Sequence, residues 1–186
     1  MNKPNLQDGD LIFIAIPNPL YRQVAEGTGS KASHVGIVLK NRDGDWMVAE
    51  STVPFSRYLP LEKFIRRSDK GWYCIRRLRD GFPMRQLEQL RHECDRRMGI
   101  LYHPGFKFDS RRLFCSKFVY EVFRDTLKIE IGQLETFRAL LDRQPETPLW
   151  FWRLWYFGRI PWSRRTVTPA SQMETNLLRT VYESPA

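Results

Sequence analysis

The sequence predicts an α+β fold in which one antiparallel sheet packs against a few helices. Patterns typical of strands come early in the chain and helical patterns follow, which is the order expected of α+β proteins. Asp43-Gly44 lies between two β-rich runs, and this dipeptide favours a hairpin because it tolerates positive φ angles. The 186 residues, 42% of them hydrophobic, can bury one sizeable core. We therefore expect a single domain over residues 1–186, with its core at about 8–171 and a polar C-terminal tail.

Four segments have the composition of strands. The first, 10–16, follows a Gly-Asp turn and leads into a segment rich in Pro, Gly and Ser at 17–32, which we expect to be a loop with at most one helical turn. The next two, 34–40 and 45–51, flank the hairpin signal. The last, 72–78, alternates apolar and basic residues. Together they predict the antiparallel sheet.

Helical spacing of apolar residues predicts four helices, at 61–67, 84–98, 112–127 and 134–142. The second has an apolar stripe of Leu87, Leu90, Cys94 and Met98. The third presents an apolar side made of Phe114, Phe118, Val122, Phe123 and Leu127. A strongly aromatic segment follows at 149–156. From Thr166 the chain is polar, and we expect its last residues, ending in Pro185-Ala186, to be disordered.

The charge and the cysteines restrict the class of protein. A net charge of +9 favours anionic partners. The basic residues are scattered, without a run of five or more and without a recognisable nucleic-acid module, so no specific nucleic-acid partner is expected. The three cysteines are an odd number without zinc-site spacing, which predicts free thiols in a reducing compartment.

Two segments bear on localisation. Residues 1–10 contain no apolar stretch typical of a signal peptide. The longest apolar stretch, 149–162, is short and is interrupted by Arg153 and Arg159, so we do not expect it to span a bilayer. These observations favour a cytoplasmic protein and leave open a peripheral association with an anionic membrane surface.

A histidine and a cysteine stand out as a candidate catalytic pair. Ser33-His34-Val35-Gly36 begins a β-branched run, and Phe114-Cys115-Ser116-Lys117 lies near the start of an amphipathic helix. A helix N-terminus and a neighbouring imidazolium favour the thiolate form of a cysteine, and the imidazole then serves as a general base. We expect Asp109 or Ser110 to cap this helix, and Arg111, Arg112 and Lys117 to add positive potential.

Each of these residues also has a purely structural interpretation. Cys115 on its own is compatible with a buried cysteine that packs as a small hydrophobe, and His34 with a histidine that hydrogen-bonds at a strand end. Cys94 lies in the middle of a helix and Cys74 inside a strand, so we interpret both as structural. The catalytic hypothesis requires the Cys115 sulfur to lie about 3–4 Å from a ring nitrogen of His34.

A third residue is needed to hold the imidazole in one tautomer, and Glu50 is the candidate. A two-residue turn at Asp43-Gly44 would pair Ile37 with Glu50 and place His34 and Glu50 on opposite faces. A loop of three or five residues, or a bulge, places both on one face, and this is what we expect. The alternative is that Glu50 is an exposed strand residue.

The segments "SHVGIVL", "VAES" and "FCSKFVYEVF", in this order, resemble the NlpC-like papain-fold hydrolases in their circularly permuted form, the YiiX/YebB-type branch. The histidine precedes the cysteine, as in the permuted branch. "YHPGFKFDSRRLFCSKFV" and "FWRLWYFGRIPWSRRTVTPAS" extend the resemblance to roughly residues 8–171. It implies a permuted papain-like α+β domain, in which a small antiparallel sheet or open barrel packs on a helix that starts at the nucleophile.

Position by position, the resemblance implies Cys115 as nucleophile, His34 as base and Glu50 as orienting residue. It also implies that Tyr102 and Ser116 line the active site. Glu50 is further from the histidine in sequence than the third polar residue of many relatives. Alternatively, Tyr102 is an ordinary half-buried aromatic, and His103 is a rival base. No metal and no organic cofactor is implied.

The resemblance and the candidate residues predict a cysteine-dependent hydrolase or acyltransferase that cleaves an amide, ester or thioester through an acyl–Cys115 intermediate. The Cys115 backbone N–H, at a helix N-terminus, is a natural oxyanion donor. The substrate is a small peptide or a lipid-like molecule, with a peptide-type amide preferred. The segment at 150–165 either docks a lipid headgroup or covers the core.

Two other classes of function remain open. The first is a non-catalytic binding or scaffold protein on the same fold. The second is a basic protein that binds lipid or nucleic acid. The sequence does not determine the oligomeric state.

Overall fold

One antiparallel sheet of six strands organises the structure, a computed structural model that describes residues 4–185. Neighbours in the sheet follow the order β4-β3-β2-β1-β5-β8, and a separate two-stranded sheet joins β6 to β7. The strands are β1 Leu11–Ile14, β2 His34–Lys40, β3 Trp46–Glu50, β4 Arg57–Pro60, β5 Tyr73–Leu78, β6 Glu135–Thr136, β7 Arg165–Thr166 and β8 Leu178–Glu183. The expected α+β class with an antiparallel sheet is confirmed.

Helices cover both faces of the sheet. The α-helices are α1 Pro19–Glu26, α2 Leu61–Ile65, α3 Leu87–Asp95, α4 Cys115–Leu127, α5 Phe137–Asp142, α6 Leu149–Trp155 and α7 Pro169–Glu174. Short 3₁₀ helices lie at Asp69–Gly71 and Met84–Gln86. In residues 4–185, no helix combines the length and the apolar character that crossing a membrane requires.

Successive side chains of β2 point to opposite faces of the sheet and so belong to two separate hydrophobic clusters. Val35, Ile37 and Leu39 are buried in the larger cluster, together with the apolar sides of α3 and α4. Val38 points the other way and packs in a second cluster with Phe64 of α2. Because neither face of this central strand meets water, its sequence is an almost continuous apolar run.

The hairpin between β2 and β3 confirms the expected loop length. Residues 41–45 connect the strands, and the Asn41 N–H donates to the carbonyl oxygen of Asp45 over 2.8 Å. Ile37 pairs with Ala49, so the five-residue connection shifts the register by one from that of a two-residue turn. His34 and Glu50 therefore lie on the same face of the sheet.

Helix α4 begins at Cys115 itself, as the resemblance implies, and three residues later than the apolar spacing predicts. Leu113 is held extended before it, because its N–H donates to Leu101 and its carbonyl accepts from His103. The expected side-chain cap is absent, since no side chain among residues 4–185 caps this helix. Asp109 pairs with Arg165 instead.

The segment expected to be a loop at 17–32 contains the eight-residue helix α1, so this prediction is wrong. Asn18 is extended, and its side-chain oxygen accepts from the N–H of Tyr21, while Pro19 occupies the first helical position. Both are ordinary helix-start signals. The predicted helix at 134–142 begins as β6 before α5, and that at 84–98 is a 3₁₀ turn followed by α3.

The C-terminal segment is part of the fold, which corrects the expected boundary of the core at about residue 171. Strand β8 pairs with β5 at the edge of the main sheet, with Leu178 fully buried, and the ring of Tyr182 stacks on Tyr73. Two predictions concern the ends of the chain. The predicted disorder of the last residues includes Ala186, and the prediction that no signal peptide is present includes residues 1–3. These positions lie outside the described residues.

Candidate active site

His34 and Glu50 form a buried pair at the ends of two neighbouring strands. His34 is the first residue of β2 and Glu50 the last of β3, and neither side chain is accessible to solvent. The Nε2 atom of His34 lies 2.6 Å from Oε2 of Glu50. The alternative of an exposed Glu50 is therefore wrong. The five-residue hairpin loop explains the pairing, because it places both side chains on one face.

Two arginines balance the negative charge of the buried Glu50 carboxylate. Arg67 donates from Nη2 to the same Oε2 atom that faces His34, and Arg57 donates from Nε to Oε1 over 3.2 Å. Burial raises the pKa of Glu50, but the hydrogen bond from His34 and the charges of His34 and Arg67 outweigh burial and lower this pKa to about 2. Glu50 is therefore an anion at neutral pH.

The charge of Glu50 fixes the tautomer of His34. A carboxylate only accepts hydrogen bonds, so Nε2 must carry the proton, and the Nδ1 atom of the neutral ring holds a free lone pair. Among residues 4–185, Nδ1 has no hydrogen-bond partner. Burial lowers the pKa of His34, but a neighbouring Cys115 thiolate, followed by Glu50, outweighs burial and raises it. The thiol is thus close enough to interact electrostatically with the imidazole, although no hydrogen bond of good geometry within residues 4–185 joins the two side chains.

Aromatic side chains hold the imidazole in place. Phe64 stacks on the ring of His34 with 5.5 Å between centroids, and Tyr21 meets it edge-on at 5.7 Å. Gly36 lies two residues along the strand, and a Cβ atom there would approach Val48 to 2.3 Å and Phe64 to 3.4 Å. The His-Val-Gly pattern thus has a physical reason, since the glycine leaves room for the ring that supports the histidine.

Cys115 occupies the first position of α4, and its side chain is almost fully buried. The first backbone N–H groups of a helix have no acceptor within it, so this end of α4 carries partial positive charge. Neither Cys74 in β5 nor Cys94 in α3 lies at a helix start. Burial raises the pKa of both of these thiols, that of Cys74 to about 11. All three cysteines are free.

Tyr102 lies beside the thiol because its backbone runs parallel to the segment that leads into α4. It forms a bridge with Leu113, and its N–H donates to Pro54. Burial, followed by the nearby Tyr21 and Cys115, raises the pKa of Tyr102 well above 10. Its buried hydroxyl has no hydrogen-bond partner of good geometry within residues 4–185. A protonated phenol beside the sulfur is therefore available as a donor.

Ser116 and His103, the other two residues considered for the site, do not take part in the group around His34. The Ser116 hydroxyl donates to the carbonyl of Val167 over 2.7 Å, so this side chain lines the site but is engaged in a structural bond. His103 lies in the loop after Tyr102, where its Nδ1 atom accepts from the N–H of Gly105. Burial and then the charge of Arg164 lower the pKa of His103. No hydrogen bond in residues 4–185 joins His103 to Cys115.

Sequence reasoning missed Tyr21 and the two arginines. Burial and the neighbouring Cys115 raise the pKa of Tyr21 to about 12, which places its phenol near the thiol. Helix-start signals at Asn18 and Pro19 could have placed it on a helix. No local pattern marks Arg57 or Arg67, because they reach Glu50 from β4 and from the segment after α2.

Two concavities meet at the pair of tyrosines. A narrow, partly open cavity is lined by Cys115, Tyr21, Tyr102 and mainly apolar side chains. On the other side, an open groove shares Tyr21 and Tyr102 and is also lined by Arg67 and Arg112. The groove offers positive charge, whereas the cavity is lined by uncharged residues.

Comparison with known proteins gives concordant matches. A family model described as "Permuted papain-like amidase enzyme, YaeF/YiiX, C92 family" matches residues 5–182. The uncharacterized protein YiiX of Escherichia coli K12 is 26% identical over 176 residues, which cover 94% of this chain and 85% of YiiX. A crystal structure described as metalloprotein YiiX from Escherichia coli O157:H7 superposes with a TM-score of 0.85 at 25% identity, over 96% of this chain and 97% of that one.

The word metalloprotein applies to that relative. In the present chain, residues 4–185 contain no group of three or more His, Cys, Asp or Glu side chains arranged to hold a metal ion.

Proposed function

The chain belongs to the permuted papain-like amidase family, and from this membership and the site geometry we propose that it is a cysteine-dependent amidase acting through an acyl–Cys115 intermediate. One observation carries the proposal. The Nε2 atom of His34 is held by an ionised Glu50, so its unpartnered Nδ1 is left as the basic atom, and the Cys115 thiol is the acid that interacts with this ring.

In the first step, the thiol proton moves to Nδ1 of His34 and the thiolate attacks the substrate carbonyl carbon. The carbonyl electrons move to oxygen and form an oxyanion. The Cys115 backbone N–H and the Tyr102 hydroxyl are the donors suited to stabilise it, because each is close to the sulfur and, within residues 4–185, neither donates to an acceptor with good geometry.

In the second step, Nδ1–H of His34 protonates the leaving nitrogen, the C–N bond breaks and the amine departs, leaving a thioester on Cys115. Water then attacks the thioester carbonyl while Nδ1 accepts its proton. The carboxylic acid leaves, and the proton returns to the sulfur. Glu50 stays ionised throughout and stabilises the imidazolium that forms in each half-reaction.

Intact-mass spectrometry of the protein mixed with activated acyl amides and esters tests the proposal. We expect an adduct with the mass of the acyl group within the first turnover, located on Cys115 by peptide mapping and absent in Cys115→Ala. Cys94→Ala is the matched control and should keep the adduct. If a broad panel of acyl amides, esters and acyl peptides gave no adduct on Cys115, the proposal would be wrong, and a binding protein on the same fold would replace it.

A further inference from the structure

We propose that the exposed face of α6 and the turn that follows it dock on an anionic lipid bilayer, and that the docked protein presents the groove beside Tyr21 and Tyr102 to the bilayer. We call this face the docking surface, and its side chains are those of Trp150, Arg153, Leu154, Phe157 and Arg159. The inference goes beyond the proposed function, because none of these residues lines the cavity at Cys115.

Helix α6 has a buried side and an exposed side. Trp152 is buried and meets Phe137 edge-on, with 6.1 Å between the ring centroids, so this side of the helix covers the core. On the other side Trp150 is 62% exposed and Leu154 72%, and Phe157 in the following turn is 95% exposed. Trp150 and Leu154 are four residues apart and therefore lie on one helix face. Large apolar side chains gathered in this way are typical of an interaction surface.

The charges of this segment favour an anionic occupant. No Asp or Glu occurs from residue 147 to 173, so every charged residue of this stretch is basic. Arg153 and Arg159 are exposed, and neither forms a salt bridge with another residue of 4–185. In an anionic bilayer the apolar side chains would enter the acyl region while the guanidinium groups meet lipid phosphates.

The backbone at Phe157 is a second, independent sign of function. Its φ angle of +51° is in the left-handed region, which bulky side chains rarely adopt. An almost fully exposed phenylalanine gains little packing in return. A side chain held outward at such a cost indicates function, and the apolar part of a bilayer would supply the contact that the protein does not.

Further exposed apolar side chains lie beside the groove. Val53 is 60% exposed, and Phe55 and Leu101, which are joined by a backbone bridge, are 45% and 52% exposed. Val53 lines the groove together with Trp155 of α6. Of the nine large apolar side chains exposed in residues 4–185, seven thus belong to α6 and its turn or to this rim. A bilayer that contacts α6 would therefore also face the groove.

Two hydrogen bonds fix α6 to the loop at 103–105 beside the groove. The Nε1 atom of Trp155 donates to the carbonyl of Pro104 over 3.1 Å, and the Tyr156 hydroxyl donates to the carbonyl of Gly105 over 3.1 Å. Pro104 itself lines the groove. Because helix and loop are joined directly, docking of α6 would set the orientation of the groove relative to the bilayer.

Co-sedimentation with vesicles tests the docking surface. The protein should sediment with a phosphatidylcholine–phosphatidylglycerol mixture, more weakly at high salt, and not with phosphatidylcholine alone. Phe157→Asn should lower vesicle affinity about tenfold, while the melting temperature stays the same or rises because asparagine tolerates this φ angle. Met84→Asn is the matched control, at a residue that is 79% exposed, and should bind like wild type. Equal binding of Phe157→Asn and wild type, or no binding of either, would overturn the proposal.

The net charge of +9 requires a control for charge, because a basic protein is attracted to any anionic bilayer. Arg153→Ser should lower vesicle affinity about fivefold at low salt. Arg85→Ser should leave it unchanged, because Arg85 is exposed near the C-terminal end of α4, where its neighbour Gln86 donates to Thr126. Equal losses in the two variants would show adsorption by net charge and overturn the docking surface.

Three further measurements separate the parts of the proposal. Val53→Asn should also lower vesicle affinity, and wild-type binding of this variant would overturn the orientation of the groove toward the bilayer. Cys115→Ala should bind vesicles like wild type, so a failure to form acyl adducts and a failure to bind vesicles are distinguishable. Sedimentation velocity without lipid should show no self-association that depends on Phe157. Self-association lost in Phe157→Asn would mean that a second copy of the chain, and not a bilayer, covers this surface.

Discussion

The Nε2 atom of His34 lies 2.6 Å from Oε2 of Glu50, although sixteen residues separate them in sequence. The connection at 41–45 determines this contact, because a hairpin loop of even length would have turned the two side chains to opposite faces. The same contact makes Nδ1 the basic atom of the ring. The length of one turn thus sets the geometry on which the proposed chemistry depends.

Thiol reactivity should distinguish Cys115 from the other two cysteines. Burial raises the pKa of Cys74 to about 11, so only about one in ten thousand of these side chains is a thiolate at pH 7. Cys94 is fully buried, and its pKa is raised as well. In native protein, iodoacetamide should therefore modify Cys115 first, as measured by peptide mapping over time. His34→Ala should slow this reaction, and equal rates at the three thiols would contradict the assignment.

Replacement of Glu50 by glutamine should lower turnover by a factor on the order of 10² to 10⁴ and change KM little. Arg57 donates to Oε1 and Arg67 to Oε2, so an amide nitrogen in either position would face a guanidinium. The neutral amide would also remove the negative charge that holds the proton on Nε2 of His34 and stabilises the imidazolium. Glu93→Gln is the matched control, because Glu93 is also buried and paired with an arginine but lies on α3. Steady-state kinetics of both variants measure the effect. Unchanged turnover in Glu50→Gln would show that Glu50 does not orient His34.

The stability of the protein should fall in acid because of Glu50. Its folded pKa of about 2 lies below the ordinary value of 4.5, so its contribution is present above pH 4.5 and is lost as the pH falls toward 2. The difference corresponds to roughly 3 kcal/mol in the free energy of unfolding. Urea unfolding at a series of pH values should show a shallower acid decline for Glu50→Gln than for wild type. Parallel declines would mean that Glu50 is not the group responsible.

The Tyr102 hydroxyl should contribute to turnover and not to substrate affinity. If it donates to the oxyanion, Tyr102→Phe should lower kcat about a hundredfold with little change in KM. Tyr21→Phe removes a neighbouring hydroxyl whose ring supports His34, and its effect on kcat should be smaller. Stopped-flow measurement of acylation with both variants makes the comparison. A larger loss of kcat in Tyr21→Phe than in Tyr102→Phe would mean that Tyr21, and not Tyr102, donates to the oxyanion.

Gly36→Ala should damage the site through packing. The added Cβ atom would lie 2.3 Å from Val48 and 3.4 Å from Phe64, so the strand or the ring must move. Overpacking of this kind costs about 1–3 kcal/mol, and a displaced Phe64 would loosen the stacking on His34. We expect a lower melting temperature together with slower alkylation of Cys115. Gly81→Ala is the control, because an added Cβ atom there meets no other atom within 4 Å while the φ angle of +74° strains the backbone. It should lower the melting temperature and leave that rate unchanged.

The candidate site was predictable where local pattern and strand parity were sufficient. The His-Val-Gly strand, the Asp-Gly hairpin and the helix that carries Cys115 are short segments whose own composition specifies them. Glu50 followed from counting residues around one turn. The start of α4 at Cys115 was not predictable from helix propensity, because the pairing of Leu113 with a distant segment keeps that residue extended.

The sequence by itself determined the α+β class, the strands on both sides of the hairpin and the residue types of the proposed catalytic pair, because backbone preference and apolar periodicity act over a few neighbouring residues. Only the tertiary structure decided that Tyr21 and Arg67 surround His34 and Glu50, that β8 completes the sheet, and that an uncharged cavity opens beside the thiol. Burial, desolvation and charge pairing depend on side chains that are far apart in the chain. They are defined only once the fold has brought those side chains together.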